Sequence, residues 1–95
     1  MKELGDKYES KLIGLKNFKI GKTGQTVKER YDSEYANVYE SYMILGNSED
    51  EDTIDEFEKY MIDRFIDFNN CDNEQIGGGK MAESNQYIVY LMHNS

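Results

Sequence analysis

The spacing of apolar residues along the chain predicts four β-strands. Residues 11–23, KLIGLKNFKIGKT, carry apolar residues on both sides of a Lys-Asn pair that suits a turn, and this pattern predicts a β-hairpin. Residues 36–46, ANVYESYMILG, are rich in β-prone side chains and predict a third strand. We expect this strand to be central, because its end is almost continuously apolar. The last predicted strand lies in NQYIVYLM, residues 85–92, whose tyrosines we interpret as core or sheet-face residues.

Two helices are predicted from their capping residues. Thr26 and Glu29 form a capping box, which predicts a short helix from about residue 27 to residue 34. Ser48 and Glu51 form a second capping box, which predicts a longer helix from about residue 49 to residue 68. Apolar residues along this second helix recur at intervals of three and four, so they share one face. They are Ile54, Phe57, Met61, Phe65 and Phe68.

These elements predict a single α+β domain over residues 1–95. Its small sheet would have three to four strands, mainly antiparallel, with two main helices in the order β-β-α-β-α-β. Residues 69–84 are polar and include three consecutive glycines, so we predict a mobile loop there.

The composition excludes several classes of protein. No apolar run approaches the roughly 20 residues that a transmembrane helix needs. The first ten residues, MKELGDKYES, lack the apolar segment of a secretory signal peptide. Cys71 is the single cysteine, so the chain cannot form an internal disulfide, and it lacks a zinc-binding pattern. We therefore expect a protein of the reducing cytoplasm.

Charge is unevenly distributed along the chain, whose net charge is -8 at pH 7. Residues 11–30 include six basic residues and one acidic residue, whereas residues 49–58 include seven acidic residues and no basic one. A local basic cluster can bind an anion although the protein as a whole is acidic. The first segment is therefore a candidate phosphate-binding surface, and the second a candidate surface for a basic partner.

Glu58 is the most informative residue of the second predicted helix. At about 100° per residue it falls inside the arc of the apolar stripe, whereas most other acidic residues of this helix lie outside it. A carboxylate on a packing face is unfavourable unless it is paired or binds a metal ion. Two interpretations remain open: Glu58 is a functional residue, or it lies at the edge of the stripe and reaches solvent or a lysine.

Arg30 is the second candidate, about one turn into the first predicted helix and just after a glycine turn. Its planar guanidinium can donate two parallel hydrogen bonds to a phosphate. A lone helix arginine is more commonly a solvent-exposed surface residue, so that alternative also remains open. The glycine segments GKTGQT, residues 21–26, and GGGK, residues 77–80, lack the Walker A spacing and are interpreted as turns.

The segment FKIGKTGQTVKER, residues 18–30, together with the helix that carries EKYMIDRF, residues 58–65, resembles the GIY-YIG nuclease superfamily. The match is closest to its compact virus- and phage-type branches, in which the second motif often reads KIG-x-T followed by an arginine. The likeness extends from about Tyr8 to Tyr90. Family members have a first-motif strand, a short spacer and a second-motif strand, whose place is taken here by residues 19–21.

The resemblance implies a set of site residues. Counting back across the spacer, Tyr8 matches the first-motif tyrosine, although Asp6 and Lys7 replace the usual Gly and Ile. If the register slips, Lys11 fills that position instead. Glu34 stands four residues after the family's helix arginine, where many members carry His or Tyr. The implied catalytic residues are Tyr8, Lys19, Arg30, Glu58 and Asn85, and the implied further substrate-binding residues are Lys11, Lys22, Thr23 and Lys28.

The implied reaction is hydrolysis of a DNA phosphodiester bond with one metal ion, Mg²⁺ or Mn²⁺. Glu58 would hold the ion through a carboxylate oxygen, and the ion would stabilise the leaving oxygen and the phosphorane. Arg30 would bind the scissile phosphate. Tyr8 would act as the general base on a water molecule, with Lys19 favouring the phenolate or orienting the water.

Two classes of function follow. The first is a minimal metal-dependent endonuclease that acts on DNA, which the presence of both Arg30 and Glu58 favours. The second is a catalytically weakened binding module on the same fold, whose acidic helix engages a basic protein or mimics nucleic acid. The altered first motif and the net charge favour the second class. A second copy of the chain is a further candidate partner, and no membrane partner is expected.

Overall fold

The computed structural model describes residues 2–24, 26–74 and 83–95 and shows an α+β fold, as predicted. A three-stranded antiparallel sheet is combined with three α-helices. One π-helical turn, Tyr31–Tyr35, continues the second helix. The elements in chain order are α1 (Lys2–Ile13), β1 (Asn17–Thr23), α2 (Val27–Arg30), β2 (Ser41–Ser48), α3 (Glu51–Phe65) and β3 (Tyr87–Asn94).

The N-terminal segment is helical, so the first strand of the hairpin predicted over residues 11–23 is wrong, whereas its second strand forms as β1. Leu4, Tyr8 and Leu12 follow one another at intervals of four, and all three pack against the main core. Leu12 is fully buried, whereas its neighbour Ile13 is largely exposed. A strand would place neighbouring side chains on opposite faces as well, so these two apolar residues alone could not distinguish the two structures. The helix is favoured because it places Leu4, Tyr8 and Leu12, which are four residues apart, on one face toward the core.

The C-terminal strand β3 is central, which corrects the prediction that β2 would be. The sheet order is β1-β3-β2, and β3 is antiparallel to both neighbours. In β2, Leu45 is buried but Tyr42 and Ile44 remain 36% and 48% exposed on the face toward α2. The apolar run of β2 therefore belongs to an edge strand with one open face, whereas β3 is buried on both faces.

Helix α3 covers the face of the sheet opposite to α2, and its predicted apolar stripe is confirmed. Ile54, Phe57, Met61 and Phe65 are buried in the main core. Phe68 lies beyond the end of the helix and meets Phe65 edge to face, with ring centroids 5.2 Å apart. Local periodicity therefore predicted the buried face of α3 correctly, although the helix ends earlier than expected.

The two helix caps had different outcomes. Thr26 caps α2 as predicted, because its hydroxyl oxygen accepts a hydrogen bond of 3.2 Å from the backbone N–H of Glu29. Asp50 rather than Ser48 caps α3, and its carboxylate accepts from the backbone N–H of Asp52 at 3.3 Å. Ser48 accepts from the backbone N–H of Asp50 and so supports the turn before the helix.

The segment after α3 pairs with the outer edge of β1. The Asp72 backbone N–H donates to the Phe18 carbonyl at 2.7 Å, and the Asn73 side-chain amide donates to and accepts from the Ile20 backbone at 2.8 and 2.9 Å. We predicted a mobile loop over residues 69–84. The part of it that contains Asp72 and Asn73 is held against the sheet. Residues 75–82, which include the GGGK segment, lie outside the described residues. No helix within the described ranges is long and apolar enough to cross a membrane.

Candidate functional site

Strand β1 carries the residues of the KIG-x-T segment on alternate faces. Phe18 and Ile20 belong to the main core beneath α3. Because side chains alternate along a strand, Lys22 shares that face, and Lys19 and Gly21 face the α2 side. The candidate residues are thus divided between the two faces of one strand.

On the α2 side, Tyr90 of β3 lies directly across Gly21. The two residues are paired in the antiparallel register. A Cβ atom added to Gly21 would overlap the Tyr90 hydroxyl oxygen and its ring carbons. Glycine is required here because the tyrosine side chain crosses close to the β1 backbone. The hydroxyl is consequently directed toward the end of α2.

Arg30 meets this hydroxyl from the last position of α2. Burial lowers the pKa of Arg30, but its interactions with the Tyr90 hydroxyl and with Glu34 outweigh that effect, so the pKa is raised overall. Arg30 Nη1 is paired with Glu34 Oε1 at 3.0 Å, and one third of the arginine side chain is exposed. The Arg30 Nε atom is buried and has no hydrogen-bond partner. An anion could therefore reach only the exposed third of the side chain, and not this buried Nε donor.

Tyr90 is a fully buried, neutral tyrosine. Burial raises its pKa far above the usual range, Tyr35 raises it further, and the Arg30 interaction only partly opposes them. The hydroxyl therefore orients Arg30 as a polar, uncharged partner. Lys19 lies on the same side, with its ammonium 5.5 Å from the ring centroid of Tyr35. The α2 face thus combines an arginine, a lysine and a tyrosine hydroxyl.

On the opposite face, Glu58 is paired with Lys22 beneath β1. Lys22 Nζ lies 3.8 Å from Glu58 Oε1 and 2.5 Å from Asp55 Oδ1. The side chains of Lys22 and Glu58 are 6% and 7% exposed. Burial raises the pKa of Glu58, and the coulombic effect of Lys22 opposes it without cancelling it. The predicted inward position of Glu58 is confirmed, and so is the pairing with a lysine that we left open.

The carboxylates of Glu58 and Asp55 are the groups on this face that could hold a divalent cation. Glu58 Oε1 is buried and lacks a hydrogen-bond partner, and the Asp55 carboxylate lies beside it. The Lys22 ammonium already pairs with both carboxylates and would repel a metal ion unless it moved away. Among the described residues, no group of three or more His, Cys, Asp or Glu side chains converges. Since Mg²⁺ is commonly held by one or two carboxylates plus water and substrate oxygens, two carboxylates suffice.

Tyr8 is not placed as the resemblance predicts. It lies in helix α1, packs against the core beneath α3, and its hydroxyl makes no hydrogen bond with any described residue. The first-motif strand that the resemblance implies at this position is helix α1, and β3 pairs with β1. Tyr90 is therefore the tyrosine that sequence reasoning missed. The run NQYIVYLM predicted a strand but could not indicate that this strand would lie beside residues 17–23.

The remaining predicted residues are scattered. Lys11 lies in the last turn of α1, and Lys28 is exposed on α2, where it pairs with Asp32 at 2.5 Å. Thr23 is buried at the end of β1. Asn85 is exposed just before β3 and makes no hydrogen bond with the described residues. The structure therefore brings Arg30 to Tyr90 and Lys22 to Glu58, and it gives Lys11 and Asn85 no contact with either pair.

Comparison with known proteins leaves the resemblance as a prediction. No family model matches the sequence, and no curated protein and no solved structure matches it. The likeness to GIY-YIG nucleases consequently rests on the KIG-x-T segment, Arg30 and Glu58.

Proposed function

We propose that this chain is a GIY-YIG-type endonuclease that hydrolyses phosphodiester bonds in DNA with Mg²⁺ or Mn²⁺. The observation that supports it most is the placement of the Tyr90 hydroxyl between Gly21 and Arg30. Gly21 and Arg30, which carry part of the resemblance, thus both contact a tyrosine, although Tyr90 comes from the opposite end of the chain. Glu58 matches the family's metal ligand, but its carboxylate lies on the opposite face of β1 from Arg30, so the proposal rests on Arg30 and Tyr90 and not on their convergence with Glu58.

Arg30 is the proposed phosphate ligand. Its side chain is one third exposed, so it can bind a phosphate oxygen and stabilise charge that develops during hydrolysis. Tyr90 is the proposed positioning residue, because its hydroxyl limits the orientations open to Arg30. Lys19 adds positive charge on the same side of the strand.

Glu58 and Asp55 are the residues that would hold the metal ion. When bound, such an ion supplies Lewis-acid stabilisation of the leaving oxygen. The chain's own contribution is to hold the buried carboxylate of Glu58 beside the partly exposed carboxylate of Asp55. We also propose a cytoplasmic location, which the single cysteine, Cys71, supports.

The test is cleavage of supercoiled plasmid and of labelled DNA oligonucleotides with Mg²⁺, Mn²⁺ or EDTA. We expect metal-dependent nicking by the native chain. Glu58→Gln and Arg30→Met should each lower the rate about 10²- to 10³-fold, because each removes a group that interacts with developing charge. A labelled RNA of the same sequence, tested in parallel, measures the preference for DNA.

Two matched pairs of variants, at Arg30 and Arg64 and at Tyr90 and Tyr8, distinguish loss of the site from general loss of folding. Arg64 is the chain's other arginine and lies away from β1, so Arg64→Met should leave the cleavage rate nearly unchanged. Tyr90→Phe should reduce both cleavage and DNA affinity, whereas Tyr8→Phe should affect neither. If the native chain nicks no DNA with either metal, or if the Arg30 and Arg64 variants lose activity equally, the endonuclease proposal is wrong.

A catalytically weakened binding module is the second candidate, and a specific observation favours it. Three cations near the proposed site are each already paired with carboxylates: Lys22 with Asp55 and Glu58, Lys28 with Asp32, and Arg30 with Glu34. Paired cations attract a nucleic acid less strongly than free ones. This candidate predicts no cleavage, weak DNA binding and salt-sensitive binding of a basic protein by the acidic first turns of α3.

A further inference from the structure

Two carboxylates beneath β1 share a single ammonium. Asp55 and Glu58 are one helical turn apart on α3, so their side chains project from the same side of the helix. Both reach Lys22, whose Nζ lies 2.5 Å from the Asp55 oxygen and 3.8 Å from the Glu58 oxygen. The ammonium is thus close to Asp55 and only loosely associated with Glu58.

This cluster has more negative charge than its one cation balances. Glu58 is 5% exposed, and its Oε1 atom is buried without a hydrogen-bond partner. A buried carboxylate oxygen left in this way is unfavourable, so a cation that contacted both oxygens would be stabilised. A divalent ion would neutralise both carboxylates, whereas one ammonium leaves a net negative charge.

We propose that Asp55 and Glu58 form a two-carboxylate cation site for which the Lys22 ammonium and a divalent metal ion compete. The inference deepens the proposed function, since it adds Asp55 as a second metal ligand and assigns Lys22 as the occupant that the ion displaces. Carboxylate oxygens are the ligands that Mg²⁺ and Mn²⁺ prefer. The flexible four-carbon stem of a lysine allows its ammonium to leave without movement of the β1 backbone.

The competition is tested by removing the ammonium while the carboxylates remain. Mn²⁺ binding is measured from the free-ion signal in electron paramagnetic resonance, without nucleic acid. Lys22→Met, which keeps the length of the stem, should bind one Mn²⁺ about 10- to 100-fold more tightly than the native chain. Within the Lys22→Met chain, Asp55→Asn and Glu58→Gln should each reverse most of that gain.

Lys28→Met is the matched control. It removes the lysine of another 2.5 Å lysine–aspartate pair, but that pair is exposed on α2 and contains a single carboxylate. It should not increase Mn²⁺ affinity. Lys22→Gln is prepared in parallel, and circular dichroism checks the folding of each variant. If the position-22 variants fold only with metal, the Mn²⁺ concentration that restores the native spectrum becomes the measure of affinity.

The inference is overturned if both position-22 variants bind or refold with Mn²⁺ no better than the native chain does. It is also overturned if Asp55→Asn leaves the affinity of Lys22→Met unchanged, because Glu58 would then act alone. Since no nucleic acid is present, these outcomes are independent of the endonuclease proposal. A native chain that cleaves DNA but fails this test would contradict the competition only.

Discussion

The hydroxyl of Tyr90 occupies the space where a side chain at position 21 would begin. The contact joins the KIG-x-T segment to the C-terminal strand, across an antiparallel pairing of β1 with β3. As a consequence, the tyrosine hydroxyl that interacts with Arg30 belongs to β3. The glycine and the tyrosine therefore depend on each other sterically, and a substitution of either residue should change the packing of the other.

Gly21→Ala should destabilise the protein by about 1–3 kcal/mol, because the added methyl group forces the Tyr90 ring or the β1 backbone to move. Urea unfolding followed by circular dichroism measures this difference. Gly14→Ala is the control, since the nearest atom to its new Cβ would be a backbone oxygen at 3.6 Å. An equal effect of the two substitutions would contradict the contact between Gly21 and Tyr90.

Glu58→Gln should change how stability depends on pH. Burial raises the folded-state pKa of Glu58 above its ordinary value of 4.5. The protonated carboxyl therefore stabilises the folded chain fully below about pH 4.5, and this contribution is lost as the pH rises through the raised pKa. The free energy of unfolding of the native chain should fall across this range relative to that of Glu58→Gln.

Urea unfolding at a series of pH values from 4 to 7.5 makes this comparison. Glu56→Gln provides the control, because it makes the same chemical change at an exposed position of α3. The difference in stability between the native chain and Glu56→Gln should vary much less with pH. Parallel pH profiles for the Glu58 and Glu56 variants would show that burial does not govern the titration of Glu58.

Asn73→Ala should lower the free energy of unfolding by about 1–3 kcal/mol, because it leaves the N–H and carbonyl of Ile20 without their partner at the edge of β1. Thermal and urea unfolding both report this loss. Asn69→Ala serves as the comparison, since Asn69 is exposed and makes no hydrogen bond with the described residues. Equal stability of the two variants would argue against the pairing by Asn73.

Arg64→Met should make local opening of α1 more frequent while leaving the stability of the sheet unchanged. Arg64 donates hydrogen bonds to Asp6, to Glu9 at 3.4 Å and to the Lys2 carbonyl at 3.2 Å, so it fastens α1 to α3. Hydrogen exchange should accelerate in residues 2–13 by about tenfold or more, with little change in β3. Lys59→Met, an exposed change on the same helix, should leave both regions as in the native chain.

Local sequence patterns predicted the elements that depend on neighbouring residues. The cap at Thr26 and the buried face of α3 were correct because capping and helical periodicity act within a few positions. The first strand of the predicted hairpin was wrong because Leu12 and Ile13 suit a helix end as well as a strand. Their true structure depends on the core that Leu4, Tyr8 and Leu12 contact together.

The sequence by itself placed Glu58 within the arc of the apolar stripe and Arg30 after a capped helix start. Only the tertiary structure decided that Tyr90 rather than Tyr8 lies beside Arg30, and that Lys22 lies near Glu58. Strand order joins residues that are far apart in the chain, as Gly21 and Tyr90 are, and no local pattern encodes it. The strand order is set by tertiary packing: β3 is buried on both faces, and α1 and α3 cover the same side of the sheet.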